Sequence, residues 1–115
     1  MQSKFRLTRS EDFVRVRRYG KSYAHPLVVL IAQPGLLNQV RVGVAAGRTT
    51  GSAVHRNRAK RLLREAIRPW LPRLPSGWDL ILIARPSLVT ASLEDTRTAL
   101  NGLLHRAQII VSDES

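Results

Sequence analysis

Residues 56 to 68 read RNRAKRLLREAIR and hold the densest chemistry in the chain. Arg56, Arg58, Lys60, Arg61, Arg64 and Arg68 are offset there by Glu65 alone. An arginine presents a planar fork of N–H donors that grips a phosphate with two bonds, whereas lysine acts as a point charge. Lys60, Arg64 and Arg68 repeat at every fourth position, where like charges on a helix repel. A solvated helix face mixes signs at that spacing, so this row is built to meet a polyanion that neutralises it. Asn57, set between two guanidiniums, adds an amide. It can bond a base edge, a sugar hydroxyl or backbone, or hold a neighbouring arginine in one rotamer, and the motif alone does not choose among these.

Residues for protein-based catalysis are not grouped in this way. His25, His55 and His105 have no ligand spacing with one another or with carboxylates, and surface or capping roles are expected of them. Ser87 and Ser92 lack the setting of a nucleophile elbow. With no cysteine there is no disulfide framework and no thiolate metal site. The expectation is no catalytic side chain and no metal held by the protein alone.

The whole composition points the same way as the basic stretch. There are 19 Lys+Arg against 8 Asp+Glu, a net charge of +11. That balance favours a nucleic acid or an anionic membrane surface as partner. The preference for arginine over lysine is also what a genomic base-composition bias produces. A chain of 115 residues is expected to form one domain over 1–115. Its longest apolar run, Leu27 to Ala32, is too short to span a bilayer. Lys4, Arg6 and Arg9 are not followed by an apolar stretch, so no secretory signal is expected and the location is expected to be cytoplasmic.

The basic residues need an element to hold them. Ser52 can cap a helix from Ala53 to Arg68 that Pro69 stops. On a helical wheel Ala59, Leu62, Leu63, Ala66, Ile67 and Trp70 share one arc. Asn57, Arg58, Lys60, Arg61, Arg64, Glu65 and Arg68 share the other, while Arg56 lies nearer the apolar side at the helix start. Glu65 is expected to pair with Arg61 or Arg68. Upstream, Ser10 is predicted to cap a first helix with Glu11 and Asp12 in its first turn, Phe13 and Val16 facing inward and Gly20 at its end. Tyr23 to Ala32 reads as a strand, and Pro34-Gly35 as a turn. Val40, Val42 and Val44 alternate with Arg41 and Gly43 as a half-buried strand, predicted to pair antiparallel with the first and to turn Arg41 to the solvent side. Gly47 to Gly51 is a loop. Downstream of Pro69, Pro72 and Pro75, Trp78 to Ala84 reads as a buried strand, and Trp70 and Trp78 are expected to pack over the core. Ser92 and Asp95 resemble a capping box opening a third helix, with Leu93, Leu100, Leu103, Leu104 and Ala107 inward. Residues 112–115 are expected to fray. The order α-β-β-α-β-α makes an α+β, two-layer α/β sandwich.

The stretch VRVGVAAGRTTGSAVHRNRAKRLLREAIR resembles the signature of the protein subunit of bacterial ribonuclease P. In that family an R-V-G strand leads through a glycine-bearing loop to A-V-x-R-N-R-x-K-R-x-x-R-E on a helix. Here Arg41-Val42-Gly43, Gly51, Ala53-Val54, Arg56-Asn57-Arg58, Lys60-Arg61 and Arg64-Glu65 stand in matching register. Phe5-Arg6-Leu7 and Glu11-Asp12-Phe13 look like the family's first helix, and Asp79 to Pro86 like its last main strand. The resemblance extends over nearly the whole chain. It implies a protein cofactor of a catalytic RNA that removes the 5′ leader of precursor tRNA by magnesium-dependent hydrolysis, with magnesium bound mainly by the RNA and one protein per RNA. It also implies a left-handed βαβ crossover around the basic helix, against the usual rule. Arg56, Asn57, Arg58, Lys60, Arg61, Arg64 and Arg68 correspond to the face for the RNA subunit. Phe13, Arg17, Arg41, Arg48 and Thr49 correspond to the leader cleft, with Phe13 as its first aromatic. The chain departs from many relatives at Arg17 and from some at Ile31, where those carry aromatics, and at Arg48-Thr49, which replace a serine and a lysine. A cleft so altered is expected to grip the leader more by charge than by stacking, although the Arg17 guanidinium can itself stack.

Two other functions fit a basic helix. One is a structural RNA-binding protein of ribosomal type, which would not affect precursor tRNA cleavage. The other is a DNA-binding protein with this helix in a major groove, but the sequence offers neither a helix-turn-helix partner nor a dimer seam. A membrane-surface helix fits less well, because its apolar face is needed for the core.

Overall fold

The computed structural model describes residues 3–35 and 37–110, so the expectation for 112–115 lies outside the described residues. Among these residues three α-helices, α1 (Ser10–Tyr19), α2 (Ala53–Ile67) and α3 (Leu93–Arg106), accompany four strands, β1 (Lys21–Ala24), β2 (Val28–Pro34), β3 (Arg41–Ala46) and β4 (Trp78–Ala84). The strands form one mixed sheet in the order β1-β2-β4-β3. β4 pairs antiparallel with β2 and parallel with β3, so β3-α2-β4 is a crossover unit. The α+β sandwich is present, with one more strand than the sequence reading.

The extra strand comes from splitting the run Tyr23 to Ala32. His25-Pro26-Leu27 makes the turn between β1 and β2. The Leu27 N–H bonds His25 Nδ1 at 3.0 Å, and Ser87 Oγ donates to the Pro26 carbonyl at 2.7 Å. A proline has no N–H for a ladder and does not belong inside a strand. The predicted pairing of the first strand with the Val40–Val44 strand is also corrected, because β4 stands between β2 and β3. The apolar runs of β2 and β4 require cover on both faces and take the centre. The more polar KSYA of β1 and the arginine- and glycine-bearing β3 take the edges.

Alternation along the strands builds two apolar faces. Val28, Leu30, Ala32, Val42, Leu80, Leu82 and Ala84 pack with Ala59, Leu63, Ala66 and Ile67 of α2 and with Leu100, Leu103 and Leu104 of α3. Trp70 and Trp78 pack against this cluster as expected. Ile31 and Ile81 point the other way and meet Val16 of α1, with Leu7 beside them. Thus α2 and α3 form the helical layer of the sandwich, and α1 covers part of the second face.

Start signals held unevenly. Ser92 Oγ accepts from the Asp95 N–H at 3.0 Å, and Ser52 Oγ from the His55 N–H at 3.5 Å. Ser10 does not cap α1; it is the first helical residue after Arg9, whose side chain makes no cap bond. Arg6-Leu7 is not helical either. The segment bridges to Val42, with the Leu7 N–H bonding the Val42 carbonyl at 3.0 Å, and so it covers the free edge of β3.

Candidate nucleic-acid interface

The basic helix is built as a wedge. Its buried side is Ala59, Leu63, Ala66 and Ile67. Asn57, Arg58, Arg61 and Arg68 are exposed, while Arg56, Lys60 and Arg64 are half-buried, their stems lying along apolar surface. Arg68 pairs with Glu65 at 3.3 Å, one of the two partners foreseen for Glu65. Among the described residues no carboxylate lies within ion-pair distance of Arg56, Arg58, Lys60, Arg61 or Arg64. Unpaired cations aligned on one helix face form a surface of single sign that raises the local concentration of a polyanion.

Arg64 leans off this ridge toward β3. It shares a cavity of about 200 Å³ with Phe13, Gly43, Val44, Arg6 and Thr8. Its Nε is buried with no hydrogen-bond partner among the described residues. Phe13 lies on Gly43: a Cβ added to that glycine would collide with the ring and would stand 3.1 Å from the Leu7 carbonyl oxygen. The glycine of the R-V-G strand therefore gives the ring its seat. Phe13 is half-buried against the second apolar cluster, so it has a core side and an open side.

The remaining cleft residues separate. Arg17 is exposed one turn after Phe13 on α1. Arg48 and Thr49 are exposed in the short 3-10 turn that leaves the far end of β3. The turn ends at Gly51, whose φ of +124° suits glycine. Ile31 is core, 6% exposed beneath α1.

Arg41 does not project freely from its strand. Its Nε and Nη2 bond the two carboxylate oxygens of Asp79 at 3.1 and 3.0 Å, a bidentate pair. Arg15 of α1 reaches Asp79 at 2.5 Å and Asp12 at 3.2 Å, and it also bonds Gln33. Asp12 closes the group on Arg41 at 3.5 Å. Burial pushes the Asp79 carboxyl up, but hydrogen bonds and charge from Arg41 and Arg15 outweigh it and hold it below the usual carboxylate value. The same Asp79 bonds raise both arginines. The cluster pins α1, β3 and β4 together beside the Phe13 seat. Sequence reasoning missed it, since Arg15 and Asp79 are 64 residues apart. An aspartate in register with buried strand residues was the only signal.

The histidines serve turns and helix ends: His25 in the β1–β2 turn, His55 beside Ser52, and His105 on the Asn101 carbonyl. No group of three or more His, Asp or Glu that could hold a metal occurs among the described residues. No helix among them is long and apolar enough to cross a membrane.

Comparison with known proteins gives this geometry a context. The family model described as Ribonuclease P matches residues 1–108. The ribonuclease P protein component of Herpetosiphon aurantiacus is 42% identical over 95% of this chain and 89% of its own, and that of Dehalococcoides mccartyi strain 195 is 40% identical over 96% and 90%. Among solved structures, the Staphylococcus aureus RNase P protein superposes with a TM-score of 0.82 at 25% identity, covering 93% of this chain and 98% of that one. The Thermotoga maritima protein gives 0.78 at 29% identity, covering 93% and 98%. With its fold and nearly its full length matched, this chain belongs to the family of ribonuclease P protein components, subunits of the endoribonuclease that processes the 5′ end of precursor tRNA.

Proposed function

We propose that the chain works as a two-sided RNA clamp within that endoribonuclease. The exposed ridge of α2, with Asn57, Arg58 and Arg61 at its crest and Arg56, Lys60, Arg64 and Arg68 on its flanks, docks on the catalytic RNA subunit. The seat of Phe13 on Gly43 takes the single-stranded 5′ leader of the precursor, with Arg17, Arg48 and Thr49 as further contacts. Arg41 serves the cleft by fixing its frame through Asp79. Arg64 lies where the two surfaces meet. One protein per RNA suffices for this arrangement.

The observation that carries the reading is the row of cations along α2, in which Arg56, Arg58, Lys60, Arg61 and Arg64 have no carboxylate partner among the described residues and Arg68 alone pairs with Glu65. Phosphates would relieve its self-repulsion, and bidentate guanidinium contacts would fix its register on a folded RNA. The protein supplies position and charge. Magnesium would be held by the RNA subunit, where it would activate the attacking water, and the side chains of this chain would hold the two RNAs in position. Against the DNA-binding alternative, no helix-turn-helix pair with α2 occurs among the described residues: α1 lies on the opposite face of the sheet, and β4 intervenes in the chain between α2 and α3.

The test is cleavage of precursor tRNA at low magnesium with catalytic RNA alone, protein alone and both together. Efficient cleavage only in the combination, leaving a mature 5′-phosphate end, supports the clamp. Cleavage by the protein alone would reveal an active site in the chain. No effect on any bacterial catalytic RNA would favour the ribosomal-type reading.

A further inference from the structure

Two cavities follow one another along the seam between α2 and α3. The first, about 210 Å³, opens beside the crest of α2 and is lined by Arg58, Arg61, Leu62, Glu65 and Leu93. The second, about 340 Å³, lies where α2 ends and is lined by Ala66, Pro69, Trp70, Arg73, Arg97 and Asn101 among others. Its walls carry two arginines and no acid. Arg73 stacks over the Trp70 ring at 5.3 Å from the centroid. Arg73 and Arg97 are both exposed, and neither has a carboxylate within ion-pair distance among the described residues.

We infer that this second cavity is an additional docking site for the catalytic RNA subunit, taking one unpaired nucleotide. The base would stack on the outer face of the Arg73 guanidinium, which lies over the Trp70 ring, with Pro69 beside it, and its phosphates would meet Arg97 and the free N–H edge of Arg73. The inference rests on the reading of α2 as the face for that RNA.

Three features select this occupant. The volume falls at the small end of ligand-sized pockets, roughly 300–1,000 Å³, which suits a nucleotide and not a duplex. An aromatic ring with paired guanidiniums is the chemistry that holds single-stranded nucleic acid without sequence preference. The position chooses which RNA: α2 and α3 share one face of the sheet, while Phe13 and α1 lie on the other. An RNA strand crossing the α2 crest reaches this cavity along the seam, whereas a leader seated at Phe13 would have to pass around the sheet.

The test uses the full chain and the catalytic RNA, with binding measured over a series of salt concentrations. Arg73→Ala/Arg97→Ala is compared with Arg61→Ala, which probes the α2 crest. Both altered arginines are exposed, and equal melting temperatures would establish that the fold is kept. The double variant is expected to raise Kd about 10-fold and to flatten the salt slope by one to two, at roughly one per lost phosphate contact. In a Trp78→Phe background Trp70 is the only tryptophan, and its emission is expected to change on RNA binding unless both arginines are removed. If Arg61→Ala weakens binding and the double variant does not, the cavity is not a docking site and the α2 reading stands. If neither weakens it, the α2 reading fails and takes the inference with it. If the double variant weakens only the capture of leader-bearing precursor by the assembled enzyme, the occupant is the precursor and the inference is overturned.

Discussion

Asp79 keeps 1% of its surface in contact with solvent and bonds two guanidiniums. Asp79→Asn removes the charge but nearly keeps the shape, leaving Arg15 and Arg41 to repel each other. Breaking a fully buried pair costs about 3–5 kcal/mol. Both arginines reach solvent here, so a loss of about 2–3 kcal/mol is expected in urea unfolding. The pH dependence has a definite sign. Because the folded pKa lies below the unfolded value of 3.8, the stabilisation is complete above that value and is lost as pH falls through the folded one. Urea midpoints of the parent should therefore drop in that acid range, and those of Asp79→Asn should drop less; parallel curves would remove Asp79 as the cause. None of this was legible in the sequence, where Arg41 read as a strand residue facing solvent. Its partner is 38 residues on, and only the parallel register that sets Arg41 opposite Asp79 brings them together.

Between α1 and β3, the seat of Phe13 ties an element contact to a binding surface. Phe13→Ala is expected to weaken binding of precursors that carry a leader by about tenfold, in the range of one lost stacking contact, with little change for mature tRNA. Gly43→Ala should give the same selective loss by lifting the ring, with the Phe13 side chain itself intact. Equal losses for leader-bearing and mature RNA in both variants would make Phe13 a core residue only. At this scale much could be read in advance. The bounds of β4, those of α2 to within a residue, and the start of α3 followed from their caps and apolar patterns. The β1–β2 turn was overlooked because apolar composition was given more weight than Pro26. The helix start at Ser10 misled because a serine in the right place need not turn its hydroxyl to the free N–H groups.

For the molecule as a whole, the net charge of +11 is sorted by the fold. The acids Asp12 and Asp79 are spent on internal arginines, so the cations of α2 face outward with Glu65 as their near counterweight. With five or six phosphates neutralised, log K for the catalytic RNA should fall against log salt with a slope of roughly −4 to −5. Arg58→Ala and Arg61→Ala should each flatten it by about one. Unchanged slopes in both variants would move the interface elsewhere. The overall charge and the helix that concentrates it were plain from composition and period. The strand order was not, since consecutive strands usually neighbour one another and here β2 and β3 do not.

That order has a consequence in time. The chain is synthesised from its N-terminus, so β2 and β3 leave the ribosome before the strand that joins them. Until residue 84 has emerged, the sheet lacks one of its two central strands, and the arginine-rich helix lacks part of the floor on which it buries its apolar side. Contacts between residues this far apart in sequence form late and slowly. The nascent protein therefore displays its densest positive charge before its fold is complete.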